Sequence, residues 1–483
     1  MSEAAAHVKP GLITRIAYGI GGAAGGVKNN GFEYLLVLFY SQVMGLNAVY
    51  VAAALWIALF IDAISDPLIG YWSDNLRTGL GRRHPFMYAA MVPVAIAYFF
   101  AWNPPQDLGA AQLFAWLLTV TVSVRLLYTF YEVPNFALAA ELTQDYDART
   151  SLMSFRYFFG WVGGLTIQIS LFWFLLTPTE ADPIGFFNIE GWNTYGLWAA
   201  CAIFAAIFIT TIGTHAHIPH LKAPPPKRAL TLGRIFREIF ETLSNPSFRA
   251  LFLATLCGLL ASGISATLNQ YINGFFWGFD TRQIAGLTIG VYISAMLALV
   301  IAPVVGRRMG KKRAAIIIGL LAFTIAPAPV FARLLGLMPP NGTDALYYTI
   351  LIITVIDVAL IIVVQMLMSA MVADIVEESE LKTGRRSEGI FFAGIGFIRK
   401  LAQGVGILSA SVILAAASIA PGARPADVAE DSVRTLGLGY AVTLLTVWML
   451  MIACVGLYRI SREDHEANLK ALDAKRRAES PAE

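Results

Sequence analysis

Asp62 and Asp66 stand four residues apart inside the apolar run Val49–Trp72, a spacing that stacks both carboxylates on one face of a helix. Two hard oxygen donors so placed suit Na+, or a proton shared between like charges. They belong to a short set of ionisable residues held within apolar runs: Lys28, Glu33, Asp62, Asp66, Arg125, Glu132, Arg156, Asp357, Arg399 and Lys400. A charge at the centre of a bilayer costs about 3 kcal/mol or more, so those retained there face a watery cavity or one another and commonly carry function. Buried ion pairs also hold helices together. That structural reading stands beside the functional one for Arg125, Asp357 and Arg399. Lys28 and Glu33 lie in a run that also holds Asn29 and Asn30, polar enough to line a substrate path.

The elements that carry these residues follow from composition. Of 483 residues, 57% are hydrophobic and 14% charged, against roughly 25% charged in a soluble protein, which excludes a large soluble enzyme. Mean hydropathy is +0.63. A membrane helix needs about 20 apolar residues, and such runs fall at 12–43, 49–72, 85–102, 113–140, 153–176 and 195–213, then at 249–277, 284–305, 314–335, 346–371, 389–419 and 436–457. The expected fold is an all-α polytopic membrane protein with twelve transmembrane helices in two six-helix halves, the outline of a major-facilitator transporter. Residues 1–214 form the first bundle, 215–245 a linker with an amphipathic surface helix, 246–458 the second bundle and 459–483 a charged tail. A net charge of +3 gives no electrostatic case for nucleic acid.

Basic residues set the sides. Loops after the even-numbered spans carry Arg82, Arg83, Arg149, Arg307, Arg308, Lys311, Arg385 and others, whereas the opposite loops offer only Arg282, Arg333, Arg424 and Arg434. By the positive-inside rule both termini are expected in the cytoplasm. Measured from the basic loops at about 1.5 Å per residue, Asp66, Glu132 and Arg156 lie roughly 12 Å deep, and Asp62 and Lys400 roughly 18 Å. Two acids and a cation from three spans thus meet at one level, with Lys400 as a candidate positive partner of the aspartates. The glycines Gly21, Gly22, Gly25 and Gly26 lack the Lys-Ser/Thr of a phosphate loop and read as a close helix contact or a flexible cavity wall. His215, His217 and His220 have no carboxylate or cysteine beside them to complete a zinc pattern. Cys201, Cys257 and Cys454 sit in apolar runs as small hydrophobes. No Walker motif supports ATP-driven pumping.

Several motifs, in order along nearly the whole chain, resemble the glycoside-pentoside-hexuronide:cation symporters, the group of melibiose permease. Asp62-Ala63-Ile64-Ser65-Asp66-Pro67-Leu68-Ile69-Gly70 is similar to that family's second-span cation motif, Tyr128-Thr129-Phe130-Tyr131-Glu132-Val133-Pro134 to its fourth-span segment, and Phe155-Arg156-Tyr157 to its fifth-span sugar-site arginine. Ala373-Asp374-Ile375-Val376-Glu377 through Arg386-Ser387-Glu388-Gly389 to Arg399-Lys400 resembles the tenth-to-eleventh-span signature. The resemblance implies cation binding by Asp62, Asp66 and Thr129, with Ser65 at the family's asparagine position, coupling through Lys400, and substrate contacts from Glu132 and Arg156. The family's first-span Lys-Asp pair falls on Gly25 and Gly26, which removes the acid that grips galactosides.

The expected function is therefore symport of a sugar, glycoside or uronide by alternating access, coupled to Na+ or H+, in a bacterial-type inner membrane. Lys28, Asn30 and Glu33 are added to the substrate set, and Lys28 with Arg156 leaves room for an anion. The expected partners are a small-molecule substrate and membrane lipids, around a functional monomer with no enzymatic activity and no cofactor or metal beyond the coupling ion. Competing expectations are a cation-coupled carrier of an amphipathic lipid such as lysophospholipid, and, in another class, a channel or membrane sensor.

Overall fold

A computed structural model describes residues 10–143, 146–180, 182–220, 246–383 and 388–458. Among them the chain is all helical, and eleven helices are long and apolar enough to cross a membrane. These are α2 (Ala48–Asn75), α3 (His84–Trp102), α4 (Ala110–Leu142), α5 (Tyr146–Ser170, continued by Leu171–Leu175), α6 (Ile189–His215), α7 (Pro246–Tyr271, continued by Ile272–Phe276), α8 (Thr281–Met309), α9 (Lys311–Leu334), α10 (Asp344–Thr383), α11 (Glu388–Ala416) and α12 (Glu430–Gly456). The twelfth, α1, starts at Leu12–Asn30 and runs through Gly31–Leu35, Leu36–Leu38 and Phe39–Val43. Its glycines and polar residues lower its hydropathy, and two π-type turns, Gly31–Leu35 and Phe39–Val43, interrupt its α pattern. Such turns add a residue and re-aim the side chains around them.

Local signals explain several boundaries. Asn47 caps α2 by accepting from the Val49 amide at 2.9 Å, and Asn188 caps α6 by accepting from Gly191 at 3.1 Å. Gly310, at φ 76°, makes the tight turn between α8 and α9 in a conformation that costs other residues dearly. The ninth span, expected as one run, is two helices, Lys311–Ile325 and Ala328–Leu334, because Pro327 cannot continue a helical ladder. Pro67 and Pro134 stay inside α2 and α4, leaving the carbonyls of Ala63 and Phe130 without their helical donors beside the charged residues. The expected linker helix beyond residue 220 and the tail 459–483 lie outside the described residues, as do the side chains of the tenth-to-eleventh-span signature before Arg399.

The described residues fall into two compact units. The first takes those of 1–228 together with 266–288 and 407–433. Within it α1 packs on α5 and α6, α2 on α4, and α3 on α4 and α6, while α4 touches α5. The far ends of α7, α8 and α11 join this unit through Gly422 donating to the Ser41 carbonyl at 3.0 Å, Thr281 to the Ile184 carbonyl at 3.0 Å, and Gln42 to the Tyr271 hydroxyl at 3.4 Å. The second unit holds the described residues of 229–265, 289–406 and 434–483. There α9 packs on α10, Ser294 donates to the Val355 carbonyl at 2.9 Å, and Phe323 stacks on Trp448 with ring centroids 4.8 Å apart.

The glycine stripe of α1 is a packing surface, as expected. A side chain at Gly22 would run into the carbonyl of Arg156, and one at Gly26 into the carbonyl of Gly160. Across the interface Gly163 faces Ala23 and Gly164 faces Gly26. Backbones this close leave no room for a methyl group. The loss of the family's first-span acid at Gly26 therefore goes with an α1–α5 contact that an acid could not enter. Gly26→Leu is expected to destabilise the protein by about 1 to 3 kcal/mol or to prevent folding, through overpacking. Gly79→Ala, at a position open on all sides, should leave the thermal unfolding midpoint in detergent unchanged.

Candidate cation and substrate site

Both charge clusters are built on α4, whose residues Arg125, Thr129 and Glu132 recur at helical spacing along one face. At the first cluster α4 meets α2. The Thr129 hydroxyl lies 2.8 Å from Asp62 Oδ1, 3.2 Å from Asp66 Oδ1 and 3.0 Å from the carbonyl of Arg125. Asp62 and Thr129 are buried, whereas Asp66 is partly accessible. A hydroxyl has one hydrogen to give. Three acceptors therefore share one hydrogen, and two of them are carboxylate oxygens of the kind that hold a small cation or a proton.

A positive partner of Asp62 is Arg125, whose Nη1 donates to Asp62 Oδ2 at 3.2 Å. Its guanidinium also lies over the Phe32 ring, 5.5 Å from the centroid, so the π-turn of α1 forms its other wall. This cation comes from α4, one turn before Thr129. Lys400 is half-buried on α11 in the second unit. Ser65 is buried and donates to the Asp62 carbonyl at 3.0 Å, so its hydrogen goes to the α2 backbone, not to a carboxylate.

The second cluster lies one turn further along α4. Glu132 has Arg156 of α5 at 4.0 Å from one carboxylate oxygen and Lys28 of α1 at 4.0 Å from the other. The acid is 38% exposed against 5% and 9% for the two bases, so the open face of the triad is the carboxylate's. Lys28 Nζ sits over the Tyr128 ring, 4.1 Å from its centroid. Arg156 Nη1 donates to Asn135 Oδ1, and Tyr18 donates to the Asn135 carbonyl at 3.2 Å. Among the described residues the Tyr128 hydroxyl and Asn135 Nδ2 are buried without a hydrogen-bond partner. Unmade bonds of this kind are costly, about 1 to 3 kcal/mol each.

The structure thus joins Asp62, Asp66 and Thr129 in one cluster and Lys28, Glu132 and Arg156 in the next. Asn30 is turned into the α1–α5 packing, where its Nδ2 donates to Gln168 Oε1 at 2.8 Å. Glu33 lies half-buried on the first π-turn. Arg125 as the partner of Asp62, and Tyr18, Tyr128, Asn135 and Gln168 as neighbours of the site, were not singled out from sequence. The i, i+4 step from Arg125 to Thr129 and the i, i+3 step from Glu132 to Asn135 would have flagged two of them. Thr129→Val, which keeps shape but strands a buried carboxylate oxygen, should cost about 1 to 3 kcal/mol in thermal unfolding. Thr129→Ser should stay near the parent value.

The family described as MFS/sugar transport protein matches residues 17–462. An inner membrane symporter of Escherichia coli is 25% identical, covering 90% of this chain and 87% of the relative. An isoprimeverose transporter of Lactiplantibacillus pentosus is 23% identical, covering 79% and 75%. Among solved structures, that of a D-xylose-proton symporter superposes with a TM-score of 0.61 at 15% identity, covering 91% of this chain and 96% of the other, a likeness of fold.

Proposed function

The chain belongs to the MFS/sugar transport protein family, and from that premise we propose that it is an integral membrane symporter that carries a sugar or glycoside with a coupling cation by alternating access. One observation carries the reading. The cation-type cluster at Thr129 and the substrate-type cluster at Glu132 sit three residues apart on the same helix, so a change of charge at one is felt by the side chains of the other. The named substrates and activities of the relatives, isoprimeverose transport and symport, support it.

Asp62, Asp66 and Thr129 would receive the cation, H+ or Na+. Glu132 would accept from sugar hydroxyls, while Arg156 and Lys28 would donate to hydroxyl or anionic oxygens. With two bases to one acid, this triad favours a sugar bearing a negative charge, such as a uronate, over a neutral galactoside. Lys400, on α11, would sense the charge of the aspartate pair as access alternates. An amphipathic lipid is the weaker alternative, because the polar groups gathered here are buried and compact, suited to a small polyhydroxylated ligand. The reading places the loops bearing Arg82 and Arg307, and with them both termini, on the cytoplasmic side of a bacterial-type inner membrane.

A thermal-shift screen of hexoses, pentosides and uronates identifies the ligand, and uptake of its labelled form into energised vesicles tests the function. Accumulation above the external concentration should collapse on adding an ionophore for the coupling ion. Asp66→Cys should reach the membrane at normal levels and lose accumulation. Normal concentrative uptake by that variant would contradict the assignment of the pair.

A further inference from the structure

Arg125 is a buried, permanently charged side chain beside the aspartate pair, and neither sugar binding nor cation binding by Asp62, Asp66 and Thr129 calls for it. Its Nη1 takes Asp62 Oδ2 at 3.2 Å, and the Thr129 hydroxyl takes Asp62 Oδ1 at 2.8 Å, so both oxygens of that carboxylate face a donor. The Phe32 ring holds the guanidinium from the other side, 5.5 Å away. Arg125 and Asp62 are both nine-tenths buried or more, so neither charge is compensated by bulk water.

An alkali ion held by the pair would need oxygens of Asp62 turned towards it, because hard cations are bound by several oxygen ligands at once. It would also have to sit beside a group that carries its own charge and offers donors only. We propose that Arg125 is a built-in counter-cation, its guanidinium filling the seat at Asp62 that an alkali ion would occupy, so that this residue excludes Na+ and Li+ from the coupling site. The proposal rests on the cation-coupled reading of Asp62 and Asp66 and names the ion that they refuse. Coupling is then left to H+, which asks for no coordination shell.

The test measures sodium on purified protein with no sugar and no gradient. Equilibrium binding of radioactive sodium and thermal unfolding in sodium, lithium or choline chloride at equal ionic strength are compared for the parent, Arg125→Met and Arg125→Gln. The parent is expected to show no saturable sodium binding and the same midpoint in all three salts. Either folded variant should bind sodium about tenfold or more tightly than the parent, the scale on which a neighbouring charge shifts an ion equilibrium, and adding Asp62→Asn should abolish that gain. Saturable sodium binding by the parent that Asp62→Asn removes would overturn the proposal, as would folded variants that gain none. Should neither variant fold, the parent measurement decides alone. A parent that accumulates no sugar under any ion gradient would sink the symport reading instead, whatever its sodium binding.

Discussion

A hydroxyl with one hydrogen stands between two carboxylates and a backbone carbonyl, and the polar contact between α2 and α4 is built around it. Asp62 and Asp66 share one face of α2, the first buried and the second partly accessible, and two like charges so close disfavour each other. Thr129 holds both within reach of α4, and Arg125 neutralises Asp62 from the same helix. The α2–α4 contact is therefore a charged seam, whereas the α1–α5 contact is a glycine seam. The two work together. The close approach at Gly22 and Gly26 brings Lys28 of α1 and Arg156 of α5 to the two oxygens of Glu132.

The same arrangement accounts for how binding and coupling share a helix. Arg125, Thr129 and Glu132 follow each other at steps of four and three residues, so the face proposed to receive the coupling ion is continuous with the face proposed to receive the substrate. Pro67 and Pro134 lie just beyond Asp66 and Glu132 and weaken the helical ladder where the charges sit. A charged site that stayed open to both sides at once would leak, and alternating access around it avoids this.

Much of this was legible from residue order alone. Long apolar runs marked the spans, because nothing else in a chain this apolar satisfies the backbone in lipid. Counting depth from the basic loops brought Glu132 and Arg156 to one level, where the structure pairs them. The i, i+4 aspartates declared their shared face. Depth, however, fixes height and not azimuth, so nothing in residue order marked Arg125 as a partner of Asp62, which the packing of α4 on α2 provides. The π-turns of α1 left no mark in composition, and the pairing of Asn30 with the amide of Gln168, 138 positions away, cannot be read from pattern. The break at Pro327 was open to prediction from the proline itself.

The account's central claim is that the two clusters on α4 are one thermodynamic unit, and linkage offers its most direct test. Binding of the screened sugar to purified protein, measured by calorimetry across pH and sodium concentration, reports the coupling free energy without transport. The account predicts that the dissociation constant shifts about fivefold or more with the coupling ion, and that saturating sugar shifts the ion's own affinity by the same factor. A dissociation constant unchanged at every pH and sodium concentration would contradict it.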